Sequence, residues 1–250
     1  IPDQKDRLKY ISSFSGSYGF ALILNNKNYL FVDGRYTLQA NNQCNKFFNI
    51  KTIPGQMPKN VLKIKSLKIG FDPKLFTRRS LNMFFYKTNC KLVPLKRNLI
   101  DEIWMRKNNI SKNKFYILPQ SSTSQTYQRK VNKITSIMKK KGADFQFISA
   151  SENNAWLLNI RGGDTEYTPI PQSYILIDQK KNIKFFCDLK KTTSSFKKKF
   201  SNIEFIDINL TDSILSNIIR KKFIIDKGSC SIYFENIILN GNIILNQLDP

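Results

Sequence analysis

The residues best placed for chemistry sit where the chain changes direction. Tyr18-Gly19-Phe20-Ala21-Leu22-Ile23-Leu24 reads as a buried strand, and Asn25-Asn26-Lys27-Asn28 supplies the turn that returns it. Tyr29 to Val32 is the second strand of that hairpin. Asp33-Gly34 then breaks it, and Arg35 to Gln43 has helical spacing, with Tyr36, Leu38 and Ala40 partly apolar. Arg35 therefore stands at a strand-to-helix switch, where α/β folds bind ligands. A guanidinium there can hold a carboxylate or carbonyl through its planar fork. It can equally pair with Asp33 and pin the turn, since charged pairs at strand ends are common. Residue type and spacing leave both readings open.

Other chemistries are poorly supplied. The sequence contains no histidine. Its cysteines, Cys44, Cys90, Cys187 and Cys230, are far apart and form no C-x-x-C pair. That spacing suits neither a zinc site nor a disulfide scaffold, so they read as reduced thiols of a cytosolic protein. The 18 acidic residues form no cluster along the chain, whereas a hydrolytic dinuclear metal centre needs several converging carboxylates. No catalytic residue and no metal ligand is assigned.

The net charge of +23 invites a nucleic-acid reading. Yet the excess lysine is scattered along every segment with excess Asn and Ile, the bias an AT-rich genome writes on any fold. Short clusters at Lys139-Lys140-Lys141, Lys197-Lys198-Lys199 and Arg220-Lys221-Lys222 are placed at helix ends, where the dipole favours cations. The basicity is read as incidental, with no specific nucleic-acid site. No run approaches the roughly 18 apolar residues of a membrane span, so no membrane partner is expected. The opening Ile1-Pro2-Asp3 reads as a chain cut into.

These residues need a scaffold, and 250 of them, 41% hydrophobic with 19 Phe and 10 Tyr, suffice for two domains. In the first half, Phe47 to Ile53, Leu67 to Phe71 and Lys91 to Leu95 read as strands. Gln56 to Ile64, Phe76 to Thr88 and Asn98 to Trp104 read as helices. The polar, basic stretch from Arg106 to Lys114 is the best linker, which sets a boundary near Asn109 and domains of 1–109 and 110–250. Beyond it, Phe115 to Leu118 and Asp144 to Ile148 are strands. Thr126 to Lys141 is an amphipathic helix with Val131, Ile134, Ile137 and Met138 on one side and Gly142 as its stop. Ser151 is the expected N-cap of a short helix ending at Leu158.

Ser173 to Ile177 and Ile183 to Cys187, joined by a polar turn, copy the first hairpin. The copy ends in Asp188-Leu189-Lys190 where the first ends in Asp33-Gly34-Arg35, so the arginine is confined to the first domain. Glu204 to Ile208, Thr211 to Lys221, Phe223 to Ile225 and Ser231 to Leu239 add a strand, a helix, a strand and a helix. The fold class is α/β: two tandem, related domains, each a mixed sheet flanked by helices.

Four blocks resemble the N-terminal region of the three-domain Xaa-Pro aminopeptidases, of the creatinase or pita-bread metallopeptidase family. They are Ser15-Gly16-Ser17-Tyr18-Gly19 with Asp33-Gly34-Arg35-Tyr36, then Gly70-Phe71-Asp72-Pro73, then Asn98 to Trp104, then Glu152 to Asp164. The resemblance implies that Arg35 reaches toward the peptide-binding cleft, with Asp33 and Tyr36 as supports. It implies that Trp156, Leu157 and Leu158 pack in the second core. Arg161 and Asp164 either shape an inter-domain surface or form a structural ion pair, and Asp101 and Trp104 join the domains as a clamp. It also implies a C-terminal catalytic domain, absent from these 250 residues, that holds two divalent ions, Mn²⁺ by expectation. The whole enzyme would be a cytoplasmic homodimer that removes the residue preceding proline from peptides with proline second. The rival readings are a scaffold or peptide-binding protein that lost the peptidase domain, and a basic nucleic-acid-binding module.

Overall fold

The computed structural model describes residues 6–44, 46–62, 67–106, 113–165 and 167–250. The chain divides into two compact units, residues 1–73 with 79–109 and residues 74–78 with 110–250. The expected boundary at Asn109 lies outside the described residues.

The first unit opens with α1 (Arg7–Ser12), a helix without a counterpart in the sequence reading, whose first turn is capped by the Asp6 carboxylate accepting from the Lys9 N–H at 3.0 Å. β1 (Gly19–Ile23) and β2 (Asn28–Asp33) form the expected antiparallel hairpin, Gly19 opposite Val32. A 3-10 turn and α2 (Thr37–Gln43) then return the chain to β3 (Phe48–Ile53), which runs parallel to β2. β2 is central and buries both faces: Leu30 and Val32 pack with Phe14 and Ala40, while Phe31 packs with Leu22, Leu62 and Ile69. That is the period-2 alternation of a strand covered on two sides. α3 (Pro58–Val61) precedes β4 (Lys68–Phe71), and α4 (Arg78–Phe85) joins it to its parallel partner β5 (Lys91–Pro94). α5 (Leu99–Ile103) follows, with Asn98 as N-cap accepting from the Ile100 N–H.

In the second unit β6 (Tyr116–Ile117) and β8 (Ile160–Arg161) form a short antiparallel ribbon. β7 (Phe145–Ile148), β9 (Ser173–Asp178), β10 (Ile183–Cys187), β11 (Ile203–Asp207), β12 (Lys222–Ile225) and β13 (Ile243–Asn246) build one sheet in the order β11-β10-β9-β7-β12-β13. β9 alone runs against the others. β13 was not foreseen. α6 (Tyr127–Lys141), α7 (Ser151–Leu158) and α8 (Ser194–Lys198) contribute to one core with Ile175, Ile177 and Phe185. α9 (Thr211–Ser216) and α10 (Ile232–Leu239) cover the other, around Phe147, Leu176, Phe186 and Phe223.

The copied hairpin has the same topology as the first: antiparallel pair, capped 3-10 turn, helix, then a strand parallel to the second. α6 begins at its Thr126 cap and stops at left-handed Gly142 as expected, but Ile137 is 37% exposed and only Val131, Ile134 and Met138 of the expected face are buried. Ser151 does not cap α7. Ala150 holds that position, and the Ser151 hydroxyl instead donates to the Ser173 carbonyl at 3.3 Å and accepts from its N–H at 3.2 Å. α9 stops at Ser216, so Arg220 to Lys222 lead into β12 and do not end a helix.

Candidate functional site

β2 ends at Asp33, whose carboxylate accepts from the Arg35 backbone N–H at 3.0 Å and so caps the 3-10 turn Gly34–Tyr36. The second unit repeats this device, with Asp188 accepting from Lys190 N at 3.0 Å and Asp207 from Asn209 N at 2.9 Å. The capped turn is thus generic to the fold, and the guanidinium is particular to the first unit. Asp33 also accepts from Arg35 Nε at 2.8 Å. The hydrogen bond from Arg35 holds the Asp33 carboxyl below the ordinary carboxylate range and raises the arginine in return. The plainer alternative, an arginine paired with Asp33, is therefore present. It does not bury the group: the Arg35 side chain is 72% exposed, and the bond uses only Nε of its fork.

Tyr36 supports this arrangement from below. Its ring lies 5.4 Å from the guanidinium carbon, close enough for cation–π attraction. Its hydroxyl pairs with Ser17 Oγ at 2.7 Å, and its ring meets buried Phe14 edge-on at 6.0 Å. Ser17 and Phe14 were not singled out from sequence as supports. The signal was available in Ser15-Gly16-Ser17: a Cβ on Gly16 would meet the Phe14 ring at 2.2 Å, so the loop must be glycine to close over it.

Asp101 and Trp104, expected to clamp the domains, engage partners of the first unit. Arg7 donates from Nε and Nη2 to both Asp101 oxygens at 2.7 Å, and Arg106 adds a further bond. The Arg7 hydrogen bonds hold the Asp101 carboxyl below its usual range, against the opposing effect of burial. Trp104 stacks on Tyr10 with ring centroids 4.7 Å apart, and the Arg106 guanidinium lies 4.7 Å from the Trp104 ring. Arg7 and Tyr10 are three residues apart on α1, so one helical face is docked onto the end of α5.

Arg161 and Asp164 are not paired with each other. Arg161 Nη1 donates to the carbonyls of Ile160 at 2.8 Å and Ala155 at 3.4 Å. Lys130 Nζ donates at 2.6 Å to the Trp156 carbonyl and to Asn159 Oδ1. Two cations thus converge on the C-terminal end of α7, whose carbonyls and dipole favour them. Lys130 has its pKa lowered, first by burial and then by the Arg161 charge. Asp164 instead forms a buried ion pair with Lys191 and accepts from the Gln172 N–H at 2.6 Å. A Cβ on Gly162 would meet the Phe115 ring at 2.8 Å, so the loop between them is packed tightly. Trp156 was expected in the core together with Leu157 and Leu158. Both leucines are buried, whereas Trp156 is 45% exposed.

Among the described residues no three His, Cys, Asp or Glu side chains come together as a metal site. The donor set of a dinuclear centre is not offered by these residues, and no chemical step is derived through one.

Residues 3–104 and residues 105–250 each match a family described as the creatinase/prolidase N-terminal domain. The chain belongs to the creatinase/prolidase N-terminal domain family. It is 33% identical over 189 residues to the probable Xaa-Pro aminopeptidase P of Laccaria bicolor, covering 72% of this chain and 29% of that protein. It is 28% identical over 235 residues to Xaa-Pro aminopeptidase app-1 of Caenorhabditis elegans, covering 89% of this chain and 38% of that one. The chain thus spans about a third of the length of these relatives. A solved X-prolyl aminopeptidase from Caenorhabditis elegans, described as a cytosolic enzyme with a di-nuclear active site, shares the fold over 99% of this chain and 43% of its own, with a TM-score of 0.88 at 24% identity.

Proposed function

We propose that these residues are the non-catalytic N-terminal region of a cytosolic Xaa-Pro aminopeptidase, and that their task is to reach the peptide and hold the catalytic part in place. What supports this most is that both halves match N-terminal domains while covering about a third of peptidase relatives. The whole enzyme would cleave the bond before a second-position proline, with two divalent ions, Mn²⁺ by preference, in a C-terminal domain, and would act as a homodimer. Within this chain, Arg35 is the residue assigned to the peptide. Its exposed guanidinium sits on a turn fixed by Asp33 and braced by Tyr36. A fork of this kind binds a peptide carboxylate or carbonyl with direction. Asp101, Trp104, Arg161 and Asp164, each held by partners within its own unit, are assigned to keep in shape the segments that align the domains. The two domains meet near Asn109, as 1–109 and 110–250.

The test is direct. The 250-residue chain, given Mn²⁺ and a short Xaa-Pro peptide, should release no amino acid. The same chain joined to the C-terminal region of a relative should release the first residue. Turnover by the 250-residue chain alone would overturn the proposal.

A further inference from the structure

The basic clusters of the second unit are sorted in space. β7, β10, β11, β12 and β13 all start at one end of the sheet, and β9 finishes there. The last turn of α6, Lys139 to Lys141, feeds β7. Lys180 and Lys181 form the β9–β10 turn, residues 197–199 lead toward β11, and residues 220–222 lead into β12. All four stretches therefore lie on the same end. Hydrogen bonds between neighbouring segments make the edge continuous: Asn202 Nδ2 donates to the Lys181 carbonyl at 2.8 Å, Gln179 Nε2 to the Ala143 carbonyl at 2.7 Å, and the Asp144 N–H to the Lys222 carbonyl at 2.8 Å.

Eleven cations line this end, all exposed except half-buried Lys197. Its three carboxylates have local duties. Asp144 accepts from the Lys222 N–H and faces Lys221 at 3.7 Å, Asp178 accepts from Asn182 N and Nδ2, and Glu204 pairs with Lys184. The opposite end, where strands give way to capped turns and helices, carries Glu152, Asp188, Asp207, Asp212 and Asp226 among three lysines, Lys190, Lys191 and Lys227, of which Lys191 is buried in its pair with Asp164. Lysine occurs at both ends, but cations outnumber carboxylates eleven to three at the first and are outnumbered five to three at the second.

We propose that this end of the second unit binds the phosphate backbone of single-stranded nucleic acid without regard to sequence. Six strands at a spacing of about 4.8 Å make an edge of about 24 Å, room for about five phosphates or more of one strand. The shape is a strip, which suits a linear polyanion better than a lipid plane. Ten of the eleven cations are lysines, point charges that read phosphate and not base edges. None of the four stretches contains an aromatic residue on which a base could stack, so contact is confined to the phosphates and the affinity stays modest.

The experiment is fluorescence anisotropy of the 250-residue chain with labelled 20-nucleotide oligouridine and a mixed-sequence RNA of equal length. Expected are micromolar affinities within threefold of each other. For about five phosphates, log affinity should fall with log salt at a slope of about −3.5, roughly hundredfold between 50 and 200 mM. Lys140→Glu, Lys180→Glu, Lys198→Glu and Lys222→Glu together should weaken binding at least tenfold. Lys27→Glu, Lys59→Glu, Lys68→Glu and Lys91→Glu together change net charge equally in the first unit and should weaken it less than threefold. Equal losses from the two sets would mean that net charge alone acts, and would overturn the site. So would a slope shallower than about −1.5, or tighter binding to phosphatidylserine vesicles than to RNA through the same four lysines.

Discussion

Replacing Lys191 by methionine should cost the second unit far more than an ordinary lysine substitution. The Lys191 and Asp164 side chains are 9% and 4% exposed, and the Gln172 N–H adds a 2.6 Å bond to the carboxylate. In Lys191→Met the carboxylate keeps that one donor and loses its counter-charge in a water-poor site. Breaking one side of such a pair costs about 3–5 kcal/mol. For a unit of this size about 2–4 °C accompanies each kcal/mol, so its melting temperature should drop by about 6–20 °C. Trp156 is the tryptophan of this unit, and its fluorescence in a Trp104→Phe background follows that transition separately. Asp164→Asn combined with Lys191→Met removes the stranded charge while an amide oxygen still accepts from Gln172. The double variant should recover most of the loss. A single variant costing less than about 1 kcal/mol, or a double variant as costly as both singles added, would refute the argument.

Asp249 supplies a pH signature. Burial, aided by the Asp226 and Glu152 charges, pushes its carboxyl up to about 6 despite hydrogen bonds from Ser229 and Asn153. The unfolded chain releases this proton near pH 4 and the folded one near 6, so rising pH favours unfolding across that window and then levels off. Asp249→Asn should match the wild type near pH 4 and exceed it by about 2–3 kcal/mol above pH 7; parallel stability curves would contradict this. From the composition of the linker stretch, limited trypsin digestion should cut first between Arg106 and Lys114, and earlier cleavage between Tyr18 and Ala40 would count against the proposed boundary.

Elements with strong local signals were legible in the sequence. Both hairpins declared themselves through apolar runs broken by polar turns, and α6 through Thr126 and Gly142. The failures have physical causes. α1 and β13 are too short for periodicity to show, and tertiary contacts decide them. Ser151 prefers the backbone of Ser173 to its own helix. Trp156 follows Glu152 by four residues, so both occupy one face, and that face is exposed; the spacing contained the answer. Asp164 needed Lys191, 27 residues away, and only the fold brings them together. Around Arg35, the sequence marked the guanidinium and its Asp33 and Tyr36 neighbours. The brace from Ser17 and Phe14 left one trace, Gly16, whose meaning shows only once the loop closes over the Phe14 ring.

Arg35→Ala, made in the chain joined to a C-terminal catalytic region, tests most directly whether this surface serves the peptide. kcat/KM for an Xaa-Pro peptide and melting temperature are measured on the same preparation. A charge-assisted hydrogen bond contributes about 1.5–3 kcal/mol, so kcat/KM should fall about ten- to hundredfold while the melting temperature and metal content hold. Arg35→Lys should restore only part of the rate, because an ammonium lacks the planar fork. Unchanged kcat/KM together with a lowered melting temperature would show that Arg35 does no more than pin its turn through Asp33.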